Sequence, residues 1–79
     1  MPRFYFHLHN DIDVPDEEGK ELPDLNGARI WAECQARMLI GQIAKEQGRV
    51  VLHHRIDIED EYGLVGDTVW FRDVLQIED

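Results

Sequence analysis

The chain has 79 residues, with seventeen acidic against eight basic side chains and a net charge of −9. This charge argues against unaided binding to nucleic acid or to an anionic membrane, because its long-range field repels phosphate groups. With one cysteine and no long apolar run, we expect neither an intrachain disulfide nor a membrane span. These features predict a single domain over residues 1–79 in a reducing cytoplasm.

The N-terminal third predicts two strands. Residues 3–9 alternate between polar and apolar side chains, which is typical of a half-buried strand. A turn at residues 10–11 leads to a short second strand over 12–14. Residues 16–19 then predict a polar turn closed by a glycine, and Pro23 marks the boundary of the next element.

The middle of the chain predicts one long helix, with Asp24 as its N-cap and Gly48 as its stop. One apolar stripe at spacings of three and four is expected to face the sheet: Leu25, Ala28, Ala32, Ala36, Leu39 and Ile43. A second stripe lies roughly opposite: Trp31, Cys34, Met38 and Gly41. Because a helix on one small sheet needs only one apolar face, the second stripe predicts a partner, most simply another copy of the chain.

The C-terminal third predicts two more strands. The third covers residues 50–60, and a turn at 61–63 leads to the fourth over 64–71. Gly66 interrupts the alternation of the fourth strand, which is typical of a bulge but leaves its register open. Residues 73–77 fit either a helical turn or an edge strand. The expected fold class is α+β, an antiparallel sheet of about four strands in the order ββαββ with one long helix across one face.

Five segments together are similar to a known family. They are Met1–His7, Asp16–Gly19, Glu21–Leu25, Ile56–Gly63 and Phe71–Val74. On these segments the chain resembles a family of very short bacterial proteins of unknown function, domain-of-unknown-function family 6894. The resemblance covers nearly the whole chain. It implies a stand-alone domain and a bacterial cytoplasm, and it transfers no catalytic residue.

Three histidines are candidates for chemistry. His7 and His9 share one face of the first strand, so with Asp11 or Asp13 they could ligate a divalent metal, although the spacing provides no fixed third ligand. The alternative is that both rings cover the outer sheet face and hydrogen-bond to solvent or to acids opposite. His54 falls on the apolar face of the third strand and predicts a hydrogen-bonded core histidine, which acid would destabilise.

No other pattern predicts catalysis. Cys34 has Trp31 and Met38 as its helix neighbours, an apolar setting that favours packing over an ionised nucleophile. The sequence shows no phosphate loop, dinucleotide fingerprint, nucleophile elbow or paired-cysteine motif. We therefore expect no enzyme activity and no cofactor.

The first functional hypothesis is a small non-enzymatic interaction module that acts as a homodimer. Its expected interface is formed by Trp31, Cys34, Met38 and Gly41, with Trp31 as the anchor. The alternative is an acidic partner or inhibitor protein that masks a basic surface, in the manner of an antitoxin or a nucleic-acid mimic. Metal or hydrolytic chemistry at His7 and His9 is the third and weakest hypothesis.

Overall fold

The computed structural model, which describes residues 1–10 and 12–76, has one antiparallel sheet and one long helix across one of its faces. In chain order the elements are β1 (Arg3–His9), β2 (Asp13–Val14), β3 (Lys20–Glu21), α1 (Leu25–Gln47), β4 (Arg55–Glu59), β5 (Val65–Trp70) and α2 (Phe71–Val74). The predicted α+β class and the crossing helix are confirmed. The short strand β3 is an addition to the predicted order.

The sheet has the order β2-β1-β4-β5, with β3 paired to the first residues of β1. Phe6 lies opposite Ile58, and Ile56 lies opposite Val69, so the apolar residues of three strands form one inner face. The two-residue strands β2 and β3 pair with the two ends of β1. On the edge of β1 away from β4, the residues between these two short strands are therefore not paired with a regular strand in the described part of the chain.

Both predicted ends of α1 are confirmed. The Asp24 carboxylate accepts a 2.8 Å hydrogen bond from the Gly27 N–H, which satisfies one of the free donors of the first turn. Gly48 has a φ of 68°, and its N–H donates to the Ala44 carbonyl at 2.9 Å. This left-handed conformation is typical of a glycine that ends a helix.

The core lies between α1, α2 and the inner face of β1, β4 and β5. Its buried apolar residues are Phe4, Ala28, Ala32, Ala36, Ile40, Ile56, Ile58, Val69, Phe71 and Val74. The three alanines confirm the predicted inner stripe, and their small side chains let α1 lie close to the strands. Leu39 and Ile43 pack partly buried against the core, as the stripe predicted, but Leu25 is exposed, and the buried Ile40 was not among the predicted residues.

The predicted bulge in the last strand is confirmed and its register is now defined. Ile58 lies opposite Asp67 and Glu59 lies opposite Val65, so Gly66 is the extra residue. A Cβ on Gly66 would lie 3.3 Å from Leu25 Cδ1, which explains why a residue without a side chain occupies this point. The bulge turns Asp67 toward the helix side of the sheet.

Two predicted boundaries are wrong at the junction of β4 and α2. The third strand was expected from Val50 but begins at Arg55, because the carbonyls of Leu52 and His54 accept hydrogen bonds from the first N–H groups of α2. These bonds dock α2 where a longer strand would have continued. In the segment expected at residues 73–77, Asp73 and Val74 belong to a helical turn that begins earlier, at Phe71, whereas Leu75 and Gln76 lie beyond its end. Ile77 lies outside the described residues.

Candidate functional site

The outward face of α1 carries an exposed apolar strip. Of the four predicted interface residues, Cys34, Met38 and Gly41 are exposed, and Met38 is 64% exposed. Ile30 lies one turn before Cys34 on the same side and is 61% exposed. Ile30 is not among the predicted interface residues, although its i, i+4 spacing to Cys34 places it on the same helix face. We call Ile30, Cys34, Met38 and Gly41 the outer helix strip.

Trp31, the predicted anchor of the interface, is half-buried by its own chain. Its indole lies against the Phe6 ring, with the centroids 4.7 Å apart and the planes inclined by 47°. The Lys20 ammonium lies 5.6 Å from the indole centroid, in a cation–π contact. Trp31 therefore borders the outer helix strip and also belongs to the contact between α1 and the sheet.

An apolar groove of about 270 Å³ runs between α1 and β1. It is lined by Phe6, Leu8, Asp16, Trp31, Gln35, Leu39 and Ile56. The groove exists because α1 packs mainly over β4, β5 and α2, which leaves the inner face of β1 partly uncovered. Its volume lies just below the usual range of small-molecule pockets and suits one or two side chains of a partner.

The outer face of the sheet, away from α1, holds His9 between two carboxylates. His9 Nδ1 lies 2.8 Å from Asp13 Oδ1, and its Nε2 lies 3.0 Å from Asp57 Oδ2. Asp57 also accepts a 2.9 Å hydrogen bond from the Thr68 hydroxyl. Both ring nitrogens are thus engaged by acids of neighbouring strands, as the alternative interpretation of this histidine predicted.

His7 is held by its own chain in a different way. Its Nδ1 accepts a 3.0 Å hydrogen bond from the Asp16 backbone N–H. Its Nε2 lies 3.3 Å from Glu59 Oε2. Within residues 1–10 and 12–76, no three His, Cys, Asp or Glu side chains are arranged to hold a metal ion. Asp11, one of the predicted ligands, lies outside the described residues.

The Asp16 carboxylate organises the loop between β2 and β3. Its Oδ2 accepts from the Phe6 N–H and its Oδ1 from the N–H groups of Glu18 and Gly19, each at 3.1 Å. Burial acts to raise the pKa of Asp16, but the three backbone hydrogen bonds and the neighbouring His7 outweigh it, and the pKa is lowered. Asp16 therefore takes the place of a strand partner in the middle of β1.

A second carboxylate, that of Asp67, joins α1 to the free edge of β5. Arg29 Nε lies 3.6 Å from Glu33 Oε1, an i, i+4 contact within α1, but Arg29 Nη1 is closer to Asp67 Oδ2, at 2.8 Å. Asp67 Oδ1 also accepts from the Thr68 N–H at 2.8 Å. Burial acts to raise the pKa of Asp67, and the bonds from Arg29 and Thr68 lower it overall. This arrangement covers the centre of an edge strand that would otherwise be open to pairing.

Acid is expected to destabilise the fold through Asp16 and Asp67. Because each has a lowered folded-state pKa, its ionised form contributes stability above the unfolded value of about 3.9, and this contribution is lost as pH falls through the folded value. The double variant Asp16→Asn, Asp67→Asn is expected to be less stable at neutral pH and to lose less stability between about pH 5 and pH 3. Urea denaturation across this range measures the difference. An equal acid-induced loss in both chains would contradict the assignment.

His54 is a core residue, as predicted, and is 6% exposed. Its ring packs edge-on against Phe71, with the centroids 5.7 Å apart, and against His53 at 5.2 Å. Its backbone carbonyl accepts from the Phe71 N–H at 2.9 Å. The contacts place His54 under α2, where it supports the helical turn, and it does not line the groove between α1 and β1.

The sequence matches one family, described as a domain of unknown function, DUF6894, over residues 3–71. No curated protein and no solved structure matches it significantly. None of the helices in the described part of the chain is long and apolar enough to span a membrane. The match covers all five β-strands, the whole of α1 and the Asp16 loop. The chain therefore belongs to the DUF6894 family, a domain of unknown function.

Proposed function

We propose that the chain is a small, non-enzymatic interaction module that forms a homodimer through the outer helix strip and works in the bacterial cytoplasm. The observation that carries the proposal is the exposure of Met38 and Ile30, at 64% and 61%, on the same side of one helix. Exposed apolar residues that form a contiguous helix face mark interaction surfaces more often than isolated ones do.

Gly41 adds a second argument. A glycine inside a helix costs about 1 kcal/mol relative to alanine. A Cβ built at Gly41 would meet nothing within 4 Å, so no contact within the described chain requires this residue to be glycine. A glycine on an exposed helix face lets another backbone approach closely. Gly41 is therefore explained by a partner that packs against α1.

The spacing of the predicted interface is self-complementary. Trp31, Cys34, Met38 and Gly41 are separated by three, four and three residues, and this pattern reads the same in both directions. Two antiparallel helices related by a two-fold axis near Ala36 would therefore place Trp31 of one copy opposite Gly41 of the other. Cys34 would lie opposite Met38. Each contact then occurs twice, as in an isologous interface. In the first pair, the large Trp31 side chain lies opposite a glycine, which has no side chain.

Sedimentation analysis tests the dimer. At tens of micromolar the native chain is expected to sediment at twice its 9.3 kDa mass, and Met38→Asp is expected to be monomeric. Tyr62→Asp is the matched control, because it removes an 81% exposed large side chain from the turn between β4 and β5, outside the outer helix strip, and adds the same charge. A native chain that sediments as a monomer, or a Met38→Asp chain that stays dimeric, would contradict the proposal.

Gly41→Ala also tests the dimer, because it is expected to stabilise the monomer and to weaken the association of two copies. In an isolated monomer it is expected to raise the free energy of unfolding by about 1 kcal/mol, because alanine favours the helix. In the dimer the added methyl group separates the two backbones, so the dissociation constant is expected to rise about tenfold. A stabilised chain with unchanged association would place Gly41 outside the interface.

The net charge of −9 favours a second candidate, an acidic partner protein that masks a basic surface. Glu17, Glu18 and Glu21 are exposed at the end of the sheet where β3 lies, away from the outer helix strip, so both functions can coexist. Capture of a basic protein from the native host, with release as the salt concentration rises, is the expected result. Capture that persists at high salt would count against it.

A further inference from the structure

A recess of about 230 Å³ lies at the corner where β5 meets α2, and it is lined by Trp70 and Arg72. The Arg55 guanidinium lies 5.5 Å from the centroid of the Trp70 indole, and the Arg72 guanidinium lies 5.7 Å from it. Arg55 is directly opposite Trp70 in the sheet register. We call these three residues the Trp70 notch. It is separate from the outer helix strip and independent of the proposed dimer.

Both arginines are positioned by the fold. Arg55 lies on β4, and its Nε is 3.4 Å from Asp57 Oδ1, a carboxylate already bound by Thr68. The backbone N–H of Arg72 donates to the Leu52 carbonyl at 3.2 Å, which fixes the start of α2 against the preceding loop. Each guanidinium is also held against the indole by cation–π attraction. These contacts place both guanidinium groups beside the indole before a ligand binds.

Most of the hydrogen-bonding capacity of these two guanidinium groups is unused within the described part of the chain. A guanidinium carries five N–H donors and no acceptor. Within residues 1–10 and 12–76, neither the Arg55 nor the Arg72 guanidinium donates a hydrogen bond to another protein group, although Arg55 has its ionic contact with Asp57. Two positive charges with free planar donors beside an apolar indole are the complement of an oxyanion on a flat apolar body.

We propose that the Trp70 notch binds small aromatic oxyanions, with a carboxylate or phosphate group on the arginines and the ring against Trp70. The net charge of −9 repels anions at long range, so the notch must act through short, aligned contacts. The expected dissociation constant is therefore modest, at about 1 mM. Carboxylate and phosphate groups both present a pair of oxygens that a guanidinium can bind with two parallel hydrogen bonds.

Nuclear magnetic resonance of the ¹⁵N-labelled native chain tests the notch at constant ionic strength. Phenyl phosphate, benzoate and inorganic phosphate are the probes. Saturable movement of the Trp70 indole N–H signal is expected with the two aromatic probes, with little change at Trp31. Binding of both would show that either oxyanion suffices, and binding of only one would identify the group that the notch accepts. No saturable movement with either aromatic probe would overturn the proposal.

Arg72→Gln is the diagnostic variant, because the exposed Arg72 side chain contacts Trp70 and its removal leaves the core untouched. Its affinity for the aromatic probe is expected to fall at least tenfold. Arg72→Lys keeps the charge but loses the planar donors. Its affinity for the probe is expected to lie between those of the native chain and Arg72→Gln. Lys45→Gln removes an equal charge from the exposed end of α1 and should bind as the native chain does. Equal affinity in Arg72→Gln, with an unchanged spectrum elsewhere, would also overturn the proposal.

Discussion

Replacing Gly19 with alanine is expected to lower the free energy of unfolding by about 3 kcal/mol. Two causes combine. Gly19 has a φ of 70°, a left-handed conformation that costs an L-residue about 1–2 kcal/mol. A Cβ at this position would also lie 2.8 Å from the Phe4 carbonyl oxygen and 2.9 Å from side-chain atoms of Arg3 and Tyr5. The carbonyl belongs to the backbone of β1, so it cannot rotate away as a flexible side chain would.

Gly48→Ala separates the two causes. Gly48 has nearly the same φ, 68°, but a Cβ there would meet nothing within 4 Å. Gly48→Ala is therefore expected to lower the free energy of unfolding only by the conformational cost, about 1 kcal/mol. Urea denaturation of both variants beside the native chain measures the difference. If the two losses were equal, the close approach of Gly19 to β1 would have no energetic importance.

The second large effect is expected at Asp16. Asp16→Ala removes the acceptor of three backbone hydrogen bonds, from Phe6, Glu18 and Gly19, and is expected to cost about 2–3 kcal/mol. The figure is less than the sum of three charge-assisted bonds because water can reach part of the opened loop. The hydrogen bond to His7 Nδ1 comes from the backbone N–H of residue 16, which alanine retains, so the expected loss is that of the carboxylate alone.

Two further variants make the Asp16 prediction specific. Asp16→Asn keeps one oxygen for Glu18 and Gly19 but presents an amide to Phe6, so its loss is expected to be about half as large. Glu17→Ala is the matched control, an exposed acid in the same loop with no hydrogen bond from its side chain to the described chain, and is expected to change stability by less than about 0.5 kcal/mol. Equal losses in Asp16→Ala and Glu17→Ala would show that the carboxylate does not organise the loop.

These results give a physical meaning to the Asp16–Gly19 segment, on which the family resemblance partly depends. Asp16 supplies acceptors to the middle of β1, and Gly19 lets the loop return close to that strand. Both roles concern the shape of the N-terminal loop. The family resemblance at these positions therefore reflects the fold. We expect a function specific to this chain to depend on its outer surfaces.

Local signals were sufficient wherever a residue's role depends on its neighbours in sequence. The alternation of residues 3–9, the cap at Asp24, the glycine stop at Gly48 and the interruption at Gly66 each predict an element or boundary that the structure contains. Each depends on a backbone conformation or a periodicity that a few residues define. The start of β4 could not be predicted in this way, since α2 takes the carbonyls of Leu52 and His54 from another part of the chain.

The sequence by itself determined four of the strands, the long two-sided helix and the acidic balance, because these follow from periodicity, capping and residue counts. Only the tertiary structure decided which side of Trp31 is covered, since its contact with Phe6 depends on where α1 crosses the sheet. The same is true of the pairing of Arg29 with Asp67 and of the meeting of Arg55, Trp70 and Arg72. Such contacts join residues far apart in sequence, and their geometry is set by strand register and helix placement, which no local pattern encodes.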